Sequence, residues 1–184
     1  MPRLVILGRQ GSGKGTQSAR LAERYGVPHV STGDILRTAV AEQTELGQRA
    51  KATMDAGDLV PDEIMLGIIE ARLAAPDAMA GFVLDGFPRT DAQAKGLAGL
   101  LGAEGLDLAI DLAVPDEVVI ERMLGRGRAD DTEEAIRRRL DLYEEQTAPL
   151  LDWFAGQDLL VAVDGVGTPD EVFARLVEVI DERS

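Results

Sequence analysis

Short apolar runs alternate along this chain with longer segments in which apolar residues recur every three or four positions. Residues 4–7, 28–30, 81–84, 109–114 and 159–163 read as strands. The first, third and fifth are nearly all apolar, which predicts parallel strands covered on both faces. The fourth alternates through Leu108, Ile110, Leu112 and Val114. Between these runs, helical spacing covers 14–25, 32–42, 45–56, 61–74, 91–101, 115–124, 132–154 and 169–182. Local signals mark several starts: Pro61, Pro115 and Pro169 in first-turn positions, and Thr168 with Glu171 as a capping box. The seventh helix carries Ile136, Leu140, Tyr143, Thr147, Leu150 and Phe154 on one face, and Pro149 should kink it or end it early. Strand–helix alternation of this kind predicts an α/β domain. Its parallel sheet is flanked by helices, with right-handed crossovers and ligands at the carboxyl ends of the strands.

Two stretches break the alternation. Residues 32–73 hold three successive helices between strands, more than one crossover needs, and 125–131 form a short polar turn between two helices. Each is either packing decoration or a mobile cover over a site.

Composition narrows the class. A chain of 184 residues suits one domain with a sizeable core. No apolar run approaches membrane-spanning length, and Met1-Pro2-Arg3 leads straight into a strand, so neither a membrane partner nor a signal peptide is expected. The chain has no cysteine, which removes disulfides, thiolate chemistry and cysteine-ligated zinc. Its single histidine, His29, rules out a multi-histidine metal site and reads as structural. A cytoplasmic protein is expected, with monomer as the default. The net charge of −14 argues against nucleic acid as a partner, though a small phosphate ligand needs only a local positive cluster.

Such a cluster has an obvious seat. The run Gly8-Arg9-Gln10-Gly11-Ser12-Gly13-Lys14-Gly15-Thr16 directly follows the first strand and opens the first helix. Glycines let successive N–H groups converge on phosphate oxygens, while Lys14 and the helix dipole add positive charge. The strict P-loop pattern wants Ser or Thr after the lysine. Here Gly15 stands there and Thr16 follows, so Mg²⁺ need not be held in the usual GTPase manner. Asp85 ends the third strand, either in reach of Mg²⁺ or as a turn-forming Asp-Gly. Gly86-Phe87-Pro88-Arg89 then aims Arg89 at the same crevice. Ser31-Thr32-Gly33-Asp34 closes the second strand and caps the next helix, with Arg37 one turn on. Arg122, Arg126, Arg128 and Arg139 bracket the polar turn. Neighbouring helical residues point about 100° apart, so Arg137, Arg138 and Arg139 cannot share one ligand.

Gly11-Ser12-Gly13-Lys14-Gly15-Thr16-Gln17, Ser31-Thr32-Gly33-Asp34, Asp55-Ala56-Gly57-Asp58-Leu59-Val60-Pro61, Leu84-Asp85-Gly86-Phe87-Pro88-Arg89-Thr90, Gly127-Arg128-Ala129-Asp130-Asp131 and Thr147-Ala148-Pro149-Leu150 resemble adenylate kinase motifs in order and spacing. The resemblance spans nearly the whole chain. It implies a P-loop kinase fold with a five-stranded parallel sheet. The core is expected at about 1–30, 61–125 and 133–184, a nucleoside monophosphate-binding insert at about 31–60, and a short lid at about 126–132. It implies reversible transfer from MgATP to AMP giving two ADP. By the same analogy Gly11, Ser12, Gly13, Lys14, Gly15 and Thr16 wrap the ATP phosphates, and Arg126 with the backbone near Gly167 meets the ATP adenosine. Thr32, Gly33, Asp58, Leu59, Val60 and Gln93 form the AMP nucleoside pocket. Arg37 and Arg89, the latter on the turn Gly86-Phe87-Pro88, hold the AMP phosphate. Arg122, Arg128 and Arg139 gather round the transferring group, and Asp85 organises Mg²⁺ through water. The short lid lacks the insertion that sometimes binds zinc, so no structural zinc is expected.

Gln10 stands where the family's loop usually carries proline, with Arg9 before it, which bears on loop rigidity but not on the phosphate-facing N–H groups. Asp58 stands where many relatives carry lysine, and matters little if only its backbone reads AMP. Three alternatives compete: a UMP/CMP-type kinase, which also has a short lid; a nucleotide-binding module without turnover; and a nucleic-acid-binding ATPase. Thr90 and Gln93 favour adenine over pyrimidine reading. The full set of arginines argues against loss of turnover. The acidic balance argues against nucleic acid.

Overall fold

A computed structural model describes residues 1–128 and 131–183. Five parallel strands, β1 (Arg3–Leu7), β2 (His29–Ser31), β3 (Phe82–Asp85), β4 (Leu108–Ala113) and β5 (Leu160–Asp164), lie in the order β2-β3-β1-β4-β5. Nine helices accompany them among the described residues: α1 (Lys14–Tyr25), α2 (Thr32–Ala41), α3 (Glu45–Ala56), α4 (Asp62–Leu73), α5 (Asp91–Leu101), α6 (Asp116–Arg126), α7 (Glu133–Leu142), α8 (Pro149–Ala155) and α9 (Pro169–Arg183). The expected five-stranded α/β architecture is present.

Alternating side chains divide the core into two layers. Leu4 and Ile6 of β1, Val83 of β3 and Leu108, Ile110 and Leu112 of β4 meet Leu21 of α1 and Val172, Leu176 and Ile180 of α9. Val5, Leu7, Phe82, Leu84 and Ala109 face the other way, onto Ile69 of α4, Leu97 of α5 and Leu150 and Phe154 of α8. Burying each large aliphatic side chain contributes about 1.5–3 kcal/mol, so both layers anchor the central strands. The apolar fifth strand differs from expectation. It sits at the sheet edge with Ala162 and Asp164 exposed, because β4 covers only one of its sides.

β1 lies at the switch point, with α1 leading to β2 on one side and β4 pairing on the other. The loop after β1 therefore opens onto the crevice at the strands' carboxyl ends. Helices α2 and α3 follow β2 and pack on each other where Gly47 meets Ala39, capped by Ser31 and Thr44, whose side chains accept from Asp34 N and Gly47 N.

The expected single helix over 132–154 is divided. After α7 the chain makes a π-helical turn, Tyr143–Thr147, and resumes as α8 at Pro149. Pro149 has no N–H to donate and its ring crowds the preceding turn. The strain is absorbed upstream, where Ala148 N donates to Tyr143 O at 2.7 Å. Helix α6 also runs further than expected, through Arg126. Ala129 and Asp130 of the expected turn lie outside the described residues.

Candidate active site

A cleft of roughly 650 Å³ opens at the carboxyl end of the sheet, and a smaller hollow adjoins it beneath α2 and α3. The loop after β1 forms the floor of the cleft. Gly11 takes φ +88° and packs so that a β-carbon would stand 2.7 Å from the Val119 carbonyl. Gly13 takes φ +98° as the cap of α1. Only glycine tolerates both demands, and the bend delivers the chain into the N-terminus of α1, whose first N–H groups lack helical acceptors and suit an anion.

Lys14 is held back over this loop, its Nζ donating to Gly8 O at 2.6 Å and Arg9 O at 2.7 Å. These acceptors are neutral. Burial lowers its pKa to about 8; the charge of Asp85 opposes the fall, and those of Arg89 and Arg126 add to it. Arg122 donates to Ser12 O at 3.1 Å and reaches Gly165 O at 3.4 Å, tying α6 to the loop and to the segment after β5.

Asp85 stands at the end of β3, where a β-carbon on Gly15 would lie 3.5 Å from its Oδ2. Burial pushes its carboxyl up, but the hydrogen bond from His29 and the charges of Lys14, His29 and Arg89 hold it below the ordinary value. His29 Nε2 lies 3.4 Å from Asp85 Oδ2, so the histidine read as structural faces the cleft. Its sequence signal was position: it begins β2 two residues before the strand reaches the ligand-bearing end. An ionised carboxylate beside a glycine-sized gap and the exposed Thr16 hydroxyl is a donor set suited to a hydrated Mg²⁺.

The turn after β3 fixes Arg89 from three sides. Its Nε donates to Gly86 O at 2.8 Å, its backbone N donates to Gln93 Oε1 at 2.8 Å, and its carbonyl accepts from Thr147 Oγ1 at 2.9 Å. Burial lowers the Arg89 pKa; Asp85 opposes this, and Arg139 and Arg37 reinforce it. Gln93 is buried and oriented, its Nε2 donating to Asp62 Oδ1 at 2.8 Å. Thr32 donates to Gly86 O at 3.1 Å, and Arg37 pairs with Asp34 at 2.5 Å.

Opposite lie the arginines of α6 and α7. Asp131, its side chain 2% exposed, takes Arg126 in a two-pronged contact at 2.5 and 2.7 Å and Arg139 at 2.9 Å. Arg139 also donates to Met54 O at 3.2 Å, and Arg138 pairs with Asp58 at 2.7 Å, so α7 rests on the end of α3. Gly57 comes so close there that a β-carbon would meet Ala135 O at 2.6 Å. Arg137 points away to Glu133, as helical geometry requires of three consecutive arginines.

The cleft thus gathers Gly11, Gly13, Lys14, Gly15, Thr16, Asp85, Phe87 and Pro88 with Arg122, Arg126 and Arg128. Thr32, Asp58, Val60 and Gln93 line the smaller hollow. Gly33, Arg37, Leu59, Gly86, Arg89 and Arg139 border both. Ser12 is buried behind the loop, and Gly167 lies outside both spaces, against Glu171. Gln10, Tyr143 and Thr147 join the walls although only position in the fold places them there. Among the described residues, no group of three or more His, Asp or Glu side chains could hold a metal ion on its own. No helix of the described residues is long and apolar enough to cross a membrane.

The adenylate kinase family model matches residues 6–159. The chain is 53% identical to an adenylate kinase of Stenotrophomonas maltophilia, over 97% of this chain and 98% of that protein. It is 53% identical to an adenylate kinase of Mycobacteroides abscessus, over 94% of this chain and 96% of that one. With adenylate kinase 1 of Synechocystis sp. it shares 54% identity over 95% and 94% of the two chains. A glycine loop, strand-end carboxylate and ring of arginines around one cleft accompany that likeness, and the chain belongs to the adenylate kinase family.

Proposed function

We propose that this chain transfers the terminal phosphoryl group of ATP reversibly to AMP, giving two ADP, and that the two hollows are its two nucleotide seats. The observation that carries the reading is the convergence of Lys14, Arg89 and Arg128, from distant parts of the sequence, on one cleft. The loop Gly11–Thr16 and Arg122 take the ATP phosphates, with Arg126 and the backbone near Gly167 at its adenosine. The smaller hollow takes AMP, its nucleoside against Thr32, Gly33, Asp58, Leu59, Val60 and Gln93. Arg37 and Arg89, with Gly86, Phe87 and Pro88 shaping the turn, hold the AMP phosphate at the shared wall. Residues 31–60 act as the AMP-binding insert, 126–132 as the short lid, and the remainder as the core of a single domain.

The chemistry asks little of a base. An AMP phosphate oxygen is already ionised at neutral pH, so the protein supplies alignment and positive charge where negative charge spreads in the transition state. Lys14, Arg89, Arg122, Arg128 and Arg139 do this. Asp85 would hold Mg²⁺ through its water shell, and the ion would neutralise charge between donor phosphates. Burial lowers the pKa of Arg89 and of Arg128, and the charges of Arg139 and Arg37 on the first and of Arg126 and Arg37 on the second lower them further, which supports a cleft that favours anionic occupants. Pairing of α7 with the end of α3 supports a cover that shields the reacting group from water. A monomer acting in the cytoplasm, without nucleic acid or membrane partners, is the accompanying expectation.

Steady-state ADP formation with AMP, UMP, CMP and GMP in turn tests the reading. AMP should exceed the others by at least about a hundredfold in kcat/KM. Comparable rates with UMP or CMP would overturn the acceptor assignment.

A further inference from the structure

Arg9 holds a place no nucleotide-contacting role explains. Its backbone carbonyl accepts from Lys14 Nζ at 2.7 Å, so the peptide it carries sets where the phosphate-seeking ammonium rests. Its side chain turns away from the cleft and engages three groups on other elements. Nε lies 3.0 Å from Asp116 Oδ1 at the first residue of α6, and Nη2 pairs with Glu144 in the π-helical turn. The guanidinium also stands over the Tyr143 ring, 5.6 Å from its centre. Burial works against its charge, yet the Glu144 bond and the charges of Asp116 and Glu144 raise its pKa, so the cation persists. Helix α6 carries Arg122 and Arg126, and the π turn follows directly on α7 with Arg139. One guanidinium thus connects the loop bearing Lys14 to both supports of the arginines opposite.

We propose that Arg9 is a positioning residue for the phosphoryl donor: its fork fixes the loop peptide that aligns Lys14 and registers it against the arginines of α6 and α7. This rests on the donor seat assigned above. An arginine suits this place because one delocalised cation hydrogen-bonds Glu144 through Nη2 while its Nε side lies against the charge of Asp116 on another element, without hydrogen-bonding it. A lysine in the same place serves one of them. Each contact alone is partly exposed and weak. Its value lies in geometry, because a small displacement of the loop misaligns the donor phosphates.

The test uses the full chain and reads kcat, KM for ATP and AMP separately, and thermal unfolding. Arg9→Ala should lower kcat about tenfold and raise KM for ATP about fivefold, leaving KM for AMP within about twofold. Arg9→Lys should recover only part of the loss. Glu144→Gln should lower kcat by a smaller factor, and adding it to Arg9→Ala should change nothing further, since the pair acts as a unit. Loss falling equally on ATP and AMP, a lowered melting temperature with kinetics unchanged, or full additivity of the two variants would overturn the proposal. Lys14→Ala separates the levels. If it is inactive while Arg9 variants are normal, the donor seat stands and the role of Arg9 falls; if Lys14→Ala is active, the donor seat itself falls.

Discussion

The loop after β1 and the junction between α6 and α7 bring cations to the same cleft and hold them in opposite ways. Lys14 leans on the neutral carbonyls of Gly8 and Arg9, over a loop fixed to the central strand. Arg126 and Arg139 share a carboxylate, Asp131. Among the described residues no carboxylate is bonded to the lysine, and burial disfavours its charge, which an arriving anion would favour again. The two guanidiniums are already paired, so an anion arriving there would have to compete with Asp131 for them. The sheet-borne half is arranged beforehand by backbone geometry. The other half is arranged by an internal anion that resembles the ligand in shape and sign.

This contrast breaks most clearly at Lys14. Lys14→Ala should lose about a thousandfold in turnover while keeping the far-ultraviolet circular dichroism of the parent. Near-normal rates would remove it from the catalytic set. Arg89→Ala should follow at about a hundredfold or more, because three hydrogen bonds fix the residue at the wall where the proposed AMP phosphate would sit. Next comes pH. Burial depresses Lys14 to about 8, and in the role proposed for it only the protonated form would bind ATP. In the free enzyme kcat/KM for ATP should therefore be flat below pH 8 and fall up to tenfold per unit above it. Lys14→Arg should abolish that descending limb.

On the arginine side the effects should be smaller and their direction different. Asp131→Asn removes the internal anion, which would free two guanidiniums for phosphate but weakens the contact that orients them both. KM for ATP should fall about twofold to threefold while kcat falls by a similar factor, and a rise in KM would show that Asp131 only orients. Smallest of all is the pair Arg138–Asp58. Its side chains are 46% and 45% exposed, and such pairs contribute at most about 1 kcal/mol. Asp58→Lys should change turnover by no more than about threefold.

Where the sequence could be read to the residue, local signals were complete. Helices α1, α3 and α5 begin and end as expected because Gly13 and Gly26, Thr44 and Gly57, and Thr90 and Gly102 mark both ends. The division after Leu142 was half legible. Pro149 announces a disturbance, but where the helix absorbs it depends on packing. The exposure of β5 was not legible, since an edge strand and a covered one carry the same apolar residues and differ only in neighbours. Glycine loop, Asp85 and Arg89 stand on short motifs at strand ends. His29 against Asp85, Arg138 against Asp58 and Arg9 against Glu144 join residues 56, 80 and 135 positions apart, beyond any local pattern.

The two margins of the sheet have a consequence for the molecule's company. One margin, β2, is three residues long, and the other, β5, ends in an exposed aspartate. Neither offers a long, flat, apolar ribbon on which a stray strand from a second molecule could lie down. Concentrated solutions should therefore stay free of intermolecular strand addition, the mutual repulsion of strongly acidic surfaces working to the same end.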